Sequence, residues 1–192
     1  VLDLIVTLIG PDRPGLVEAV AEAVVSHGGN WLDSRMAHLG GKFAGVLRIE
    51  APAERLAEIQ QALATLASIG LHVVIEQGEI GAAPPVHAME VTLLGLDRPG
   101  LVREISRLFS AKSINVEELA TDRYSAPMSG EPMFEARARV NVPTGVNVAE
   151  LRRGLEQLAG DLMVEIRMAE ALGAPATSGA HGDDRATPPR RP

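Results

Sequence analysis

LIVTLIGPDRPGLV, residues 4–17, returns as MEVTLLGLDRPGLV at residues 89–102. The two stretches align without a gap at an offset of 85. They are identical at Val6 and Val91, Thr7 and Thr92, Leu8 and Leu93, Gly10 and Gly95, and throughout residues 12–17 and 97–102. The same offset carries Asn30 onto Asn115. After a six-residue insertion in the second copy, Phe43 falls on Phe134, Arg48 on Arg139 and Pro52 on Pro143. Similarity on this scale means two copies of one structural unit. With 192 residues, 46% of them hydrophobic, the chain can fill two compact domains of about 80 residues each.

Within the first copy, Leu2, Leu4, Val6 and Leu8 alternate, with Ile5 and Ile9 as a second apolar series, as in a central strand buried on one face and partly on the other. Asp12 and Pro14 signal a helix start, and Leu16, Val17, Val20, Ala21 and Val24 follow at helical spacing to about His27, where Gly28-Gly29 stops it. Residues 31–39 and 42–50 read as strands joined at Gly40-Gly41, a pair suited to a tight hairpin. Leu56, Ile59, Leu63 and Leu66 mark a second helix after Pro52, and residues 72–75 a last strand.

Copy two repeats the order: strand 89–94, helix 98–111, strands near 116–124 and 132–142, helix 148–159 and strand 163–168, with a longer hairpin loop at 125–131. This βαββαβ order predicts an α+β fold of two ferredoxin-like domains. Each is a four-stranded antiparallel sheet with two helices on one face. The domains are expected at 1–77 and 88–171, joined by a Gly/Ala/Pro-rich linker at 78–87 and followed by a tail at 172–192 without apolar periodicity. The uncovered sheet face or edge of each unit is expected to be apolar, so the two units should pack together and two chains should form a homodimer.

Composition excludes several functions. The chain contains no cysteine, which rules out disulfides, thiolate metal sites and a cysteine nucleophile. A net charge of −7 and the lack of basic helices or aromatic-studded strands argue against direct nucleic-acid binding. The apolar run at residues 4–9 is too short for a secretory leader and lacks basic residues before it, so it is expected to be a strand of a cytoplasmic protein. No apolar stretch approaches the ~20 residues that span a bilayer, which argues against a membrane home. The five histidines show no metal-ligand spacing, and no phosphate loop, nucleophile elbow or dinucleotide fingerprint occurs. No catalytic residue, metal or cofactor is implied.

The chemistry concentrates in the strand–helix turns, Asp12-Arg13-Pro14-Gly15-Leu16 and Asp97-Arg98-Pro99-Gly100-Leu101. Proline presets φ for the helix, and glycine removes a Cβ that would block a close neighbour. Amides at the helix start favour a carboxylate, while Asp12 or Asp97 could pair an ammonium. Asn30 and Asn115 lie eighteen residues beyond those aspartates, at the far end of the helix. They can meet the aspartate turn only across an interface with another unit. Their amides can donate to a carboxylate and accept from an ammonium, which suits a zwitterion. The same residues are also ordinary turn chemistry, with the asparagines in left-handed turns and Arg13 and Arg98 solvated.

These turns resemble those of ACT domains. More narrowly, residues 30–43, NWLDSRMAHLGGKF, resemble the glycine cleavage system transcriptional repressor family, and the likeness extends over roughly residues 4–170, including Asn115-Val-Glu-Glu-Leu119. The resemblance implies a regulator that senses glycine or a related amino acid such as serine. It implies action through contact with a LysR-type transcriptional activator rather than through DNA. It carries a ligand role onto Gly10, Asp12, Arg13, Pro14, Gly15, Leu16 and Asn30, and onto Gly95, Asp97, Arg98, Pro99, Gly100, Leu101 and Asn115. It also gives weight to Asp33, Ser34 and Arg35. The asparagine or histidine frequent in the loop of enzyme-linked ACT domains is replaced here by Asp12 and Gly10. The alternative function is an amino-acid-binding module that allosterically regulates a separate metabolic enzyme.

Overall fold

The structure, a computed structural model, describes residues 1–78 and 85–171. The chain divides into two compact units, Val1–Ala82 and Ala83–Pro192. Most of the expected linker and all of the expected tail lie outside the described residues.

Unit 1 runs β1 (Leu2–Pro11), α1 (Leu16–Val25), β2 (Asn30–Leu39), β3 (Lys42–Ala51), α2 (Leu56–Thr65) and β4 (His72–Gln77). Its strands lie in the order β2-β3-β1-β4, each pair antiparallel. Unit 2 runs β5 (Val86–Leu96), α3 (Leu101–Ala111), β6 (Asn115–Ser125), β7 (Pro132–Pro143), α4 (Val148–Leu162) and β8 (Glu165–Glu170), in the matching order β6-β7-β5-β8. Both are therefore ferredoxin-like α+β units, as the repeat predicted.

Differences from the sequence reading are local. Helix α3 begins at Leu101 rather than Arg98, because Gly100 sits at φ 100° and cannot belong to a right-handed helix. Helix α1 ends at Val25, two residues short of His27. Strand β8 starts at Glu165 instead of Met163, whose φ of 51° closes α4. Strand β5 starts at Val86, inside the stretch expected to be linker.

Period-two burial explains the sheets. Leu4, Val6 and Leu8 of β1 and Leu47, Ile49 and Ala51 of β3 are buried beneath Val20 and Val24 of α1 and Ile59 and Leu63 of α2. In unit 2, Met89, Val91 and Leu93 of β5 and Ala136, Ala138, Val140 and Val142 of β7 meet Ile105 and Phe109 of α3 and Leu151 and Leu155 of α4. Among the described residues no polar or charged side chain is buried.

The opposite sheet faces differ between the units. In unit 1, Ile5 is half-buried, while Ile9, Val46 and Val74 are 50%, 46% and 58% exposed. Val46 and Val74 flank Thr7 from the two neighbouring strands. At the equivalent places in unit 2, Arg137 and Arg167 flank Thr92, and Glu90 stands opposite Arg139. The open face of unit 1 is thus apolar about Thr7 but charged beside Ile5, which Arg48 and Glu76 flank, whereas the open face of unit 2 is charged at both places, contrary to the expectation of an apolar one.

Candidate functional site

Each aspartate turn leaves the end of a central strand. The Asp12 amide donates to the Gly41 carbonyl (3.0 Å) and the Asp97 amide to the Pro132 carbonyl (2.8 Å), which ties each turn to the neighbouring hairpin. Gly15 and Gly100 then take φ of 90° and 100° immediately before α1 and α3. A Cβ at either would meet nothing within 4 Å. The glycine answers a left-handed backbone, and no atom of the chain itself approaches it closely.

Gly10 and Gly95 are different. A Cβ on Gly10 would lie 2.7 Å from the Gly70 carbonyl oxygen, and one on Gly95 2.5 Å from Cγ1 of Val164. Both positions are occupied by the turn that enters the last strand of their own unit. Internal packing accounts for these two glycines.

The remaining turn residues divide by direction. Leu16 and Leu101 are buried, so only their backbone amides face outward. Arg98 donates through Nη2 to the Leu162 carbonyl at the end of α4, and the Arg13 guanidinium lies beside Gly70 at the corresponding place in unit 1. Both arginines therefore turn back to the end of the second helix, where a cation complements the helix dipole. Neither α1 nor α3 has a side chain capping its first amides, whereas α4 is capped by Asn147, whose Oδ1 accepts from Ala149 and Glu150. Pro14 and Pro99 are exposed in the turn.

Asn30 and Asn115 open β2 and β6 as exposed strand residues and do not adopt positive φ, which removes the left-handed reading. Positive φ falls two residues earlier, at Gly28 and Ser113. Asn30 pairs with Glu50, and Glu50 with Asp3, at the start of β1. Asp12 follows nine residues later, so the two candidates are separated by roughly 30 Å along the sheet. The structure keeps Asn30 and Asp12 apart within unit 1, and Asn115 and Asp97 apart within unit 2.

Several neighbours carried no motif. His38 of β2 lies with Nε2 3.6 Å from Asp12 Oδ2, while its counterpart at the repeat offset, Arg123 of β6, donates Nε to Asp97 Oδ2 at 2.5 Å. Asn115 borders an open cleft of about 460 Å³ with Ser106, Ser110 and Ser113. Unit 1 has Ala21, Val25 and Gly28 at those positions, so the offset alone could have flagged the three hydroxyls. Asp33 lies 3.7 Å from Arg48, which also makes a two-oxygen contact with Asp3 at 2.9 and 3.0 Å, while Arg35 donates to the Ser34 carbonyl. The hydrogen bond to Asp3 raises the Arg48 pKa above its ordinary value. Asp33 thus belongs to a charge cluster at the Asn30 end of unit 1.

Residues 3–76, β1 through β4, match the ACT domain family. Unit 2 repeats that topology and the same aspartate turn. The chain is thus similar to ACT domains through unit 1, and unit 2 repeats the fold of that unit. It is 26% identical over 161 residues to the glycine cleavage system transcriptional repressor of Escherichia coli strain K12, covering 83% of this chain and 85% of that protein. A crystal structure of a protein of unknown role from Galdieria sulphuraria matches at TM-score 0.80 and 27% identity, covering 89% of this chain and 99% of that one. A second crystal structure, named for a glycine cleavage system transcriptional repressor, matches in fold at TM-score 0.66 and 22% identity, over 88% and 96% of the two chains. Among the described residues no helix is long and apolar enough to cross a membrane.

Proposed function

We propose that this ACT pair is a non-enzymatic amino-acid sensor that represses transcription of glycine cleavage genes by contacting a LysR-type activator, without binding DNA itself. The observation that carries the ligand part is the pairing, in unit 1, of an accessible Asp12 carboxylate with a helix start whose first amides no side chain caps. The carboxylate takes the ammonium of a small amino acid and the amides take its carboxylate. The identity to the Escherichia coli repressor supports the regulatory part.

Glycine or serine fits the scale of this site. Glycine has five non-hydrogen atoms, which at about −1.5 kcal/mol each sets a ceiling near −7.5 kcal/mol and a Kd on the order of micromolar. Ordering and imperfect pairing bring the working Kd to between about 10 μM and 1 mM. Asp12→Ala is expected to weaken binding about ten-fold. That is the low end for a charge-assisted contact, because the Asp12 side chain is 43% exposed. Calorimetry with glycine and L-serine measures it, and unchanged affinity would remove Asp12 from the site. Capture of a LysR-type activator by the chain supports repression; capture of a biosynthetic enzyme in its place favours allosteric control of that enzyme.

Because Asn30 and Asp12 lie at opposite ends of unit 1, an asparagine amide reaches an amino acid bound at Asp12 only from another unit, such as one a homodimer would supply. The exposed Ile9, Val46 and Val74 give unit 1 an apolar patch for that homodimer. Sedimentation is expected to return twice the chain mass, and a monomer at micromolar concentration would rule the dimer out.

A further inference from the structure

We infer that the residue facing the aspartate from the second strand of each unit, His38 in unit 1 and Arg123 in unit 2, decides which unit takes the amino acid: unit 1 is open and unit 2 is closed. The inference rests on the amino-acid reading above and adds to it a selection between the two copies.

The turns themselves cannot discriminate. Their five residues are identical, both place a glycine at φ near 90–100° just before the helix, and neither helix start has a side-chain cap. The arginine inside each turn is directed away, toward the end of the second helix. What differs is the position beside the hairpin, where His38 pairs in register with Phe43 and Arg123 with Phe134.

In unit 2 the Arg123 guanidinium stands where a ligand ammonium would stand, 2.5 Å from Asp97 Oδ2, and the Asp97 side chain is only 27% exposed. Arginine keeps its charge at any physiological pH. An incoming ammonium must displace that cation and then remain beside it. In unit 1 the His38 ring nitrogen is 3.6 Å from Asp12 Oδ2, beyond hydrogen-bond length, and Asp12 is 43% exposed. Its carboxylate is accessible to a ligand.

An exposed ion pair is worth up to about a factor of five. Repulsion between the displaced guanidinium and the ammonium adds to it, so affinity in unit 2 is expected to be at least roughly ten-fold weaker. The chain then takes one amino acid at concentrations that saturate unit 1.

The test is calorimetry of the full chain with glycine and with L-serine, on the wild type, His38→Arg, Arg123→His and the double exchange. One site per chain is expected for the wild type, at least ten-fold weaker binding for His38→Arg, two sites for Arg123→His, and one site for the double exchange. In the double exchange, adding Asp97→Ala should remove binding and adding Asp12→Ala should not. Both positions are more than half exposed, so unfolding midpoints should stay near wild type. Arg123→Gln, which removes the cation without introducing a ring, should also open the second site and guards against a misfolded histidine variant. Two equal sites in the wild type, one lost with Asp12→Ala and the other with Asp97→Ala, would overturn the inference and leave the amino-acid reading standing. Silence from every variant up to several millimolar would overturn both.

Discussion

Phe109→Ala is expected to destabilise unit 2 by about 3–5 kcal/mol, the range for removing a buried aromatic side chain and leaving a cavity behind. Phe109 is 2% exposed and lies in the cluster with Leu93, Leu101, Ile105, Val140, Leu151 and Leu155, between the sheet and both helices. Its carbonyl also accepts from the amides of Lys112 and Ile114, so it anchors the turn that leads to Asn115. The cavity would open onto the cleft beside that turn, because Phe109 already lines it. A loss of this size is a large share of the ~5–15 kcal/mol that holds a domain together. Urea unfolding followed by circular dichroism should show an early transition. The fluorescence of Trp31, the single tryptophan and a residue of unit 1, should report an unfolding midpoint close to wild type. A variant whose dichroism transition matches wild type would contradict the packing described.

The second large effect is expected at Gly10. Valine there places Cβ 2.7 Å from the Gly70 carbonyl oxygen and 3.2 Å from the Leu71 Cα, both backbone atoms. Neither side can yield easily. Gly10 is paired with Phe43 in the β1–β3 ladder, while the Gly70 and Leu71 amides are bonded to the carbonyls of Ala67 and Leu66. Overpacking typically costs about 1–3 kcal/mol, and contact with fixed backbone puts this site at about 3 kcal/mol or more. Gly15→Ala is the useful contrast, because it meets no atom and suffers only the left-handed backbone, about 1–2 kcal/mol. The Trp31 transition should shift far more for Gly10→Val than for Gly15→Ala. If Gly10→Val keeps wild-type stability and loses only amino-acid affinity, then Gly10 serves the ligand and the packing explanation is wrong.

The contrast between Gly10 and Gly15 shows where sequence reading stops. Both glycines recur at the repeat offset, and the family resemblance gives both a ligand role. One is explained by the turn before β4, about sixty residues away along the chain, and the other by its own φ. Arg13 and Arg98 behave likewise. They look like solvated or ligand-facing cations, yet they lie against the end of the second helix, a contact that no local pattern encodes.

Element order, the repeat and the buried faces were legible because they depend on periodicities of 2 and 3.6 read along the chain, and Leu4, Val6 and Leu8 declare their face without knowledge of any partner. The separation of Asn30 from Asp12 was legible too, since the helix between them carries the chain to the far end of the unit. Cross-strand neighbours were not. The pairing of Asp12 with His38, and of Asp97 with Arg123, depends on register, and register in each unit is set by the hairpin together with a bulge after Trp31 or Val116 that leaves Leu32 or Glu117 without a partner. The contrast between an apolar patch on the open face of unit 1 and a charged one in unit 2 likewise emerges only when three strands are laid side by side, with Val46 and Val74 about Thr7 and Arg137 and Arg167 about Thr92. Sequence alone determined what each segment would be, because backbone preference and burial are local. Tertiary structure decided which side chains face one another, because that depends on the register between segments distant in the chain.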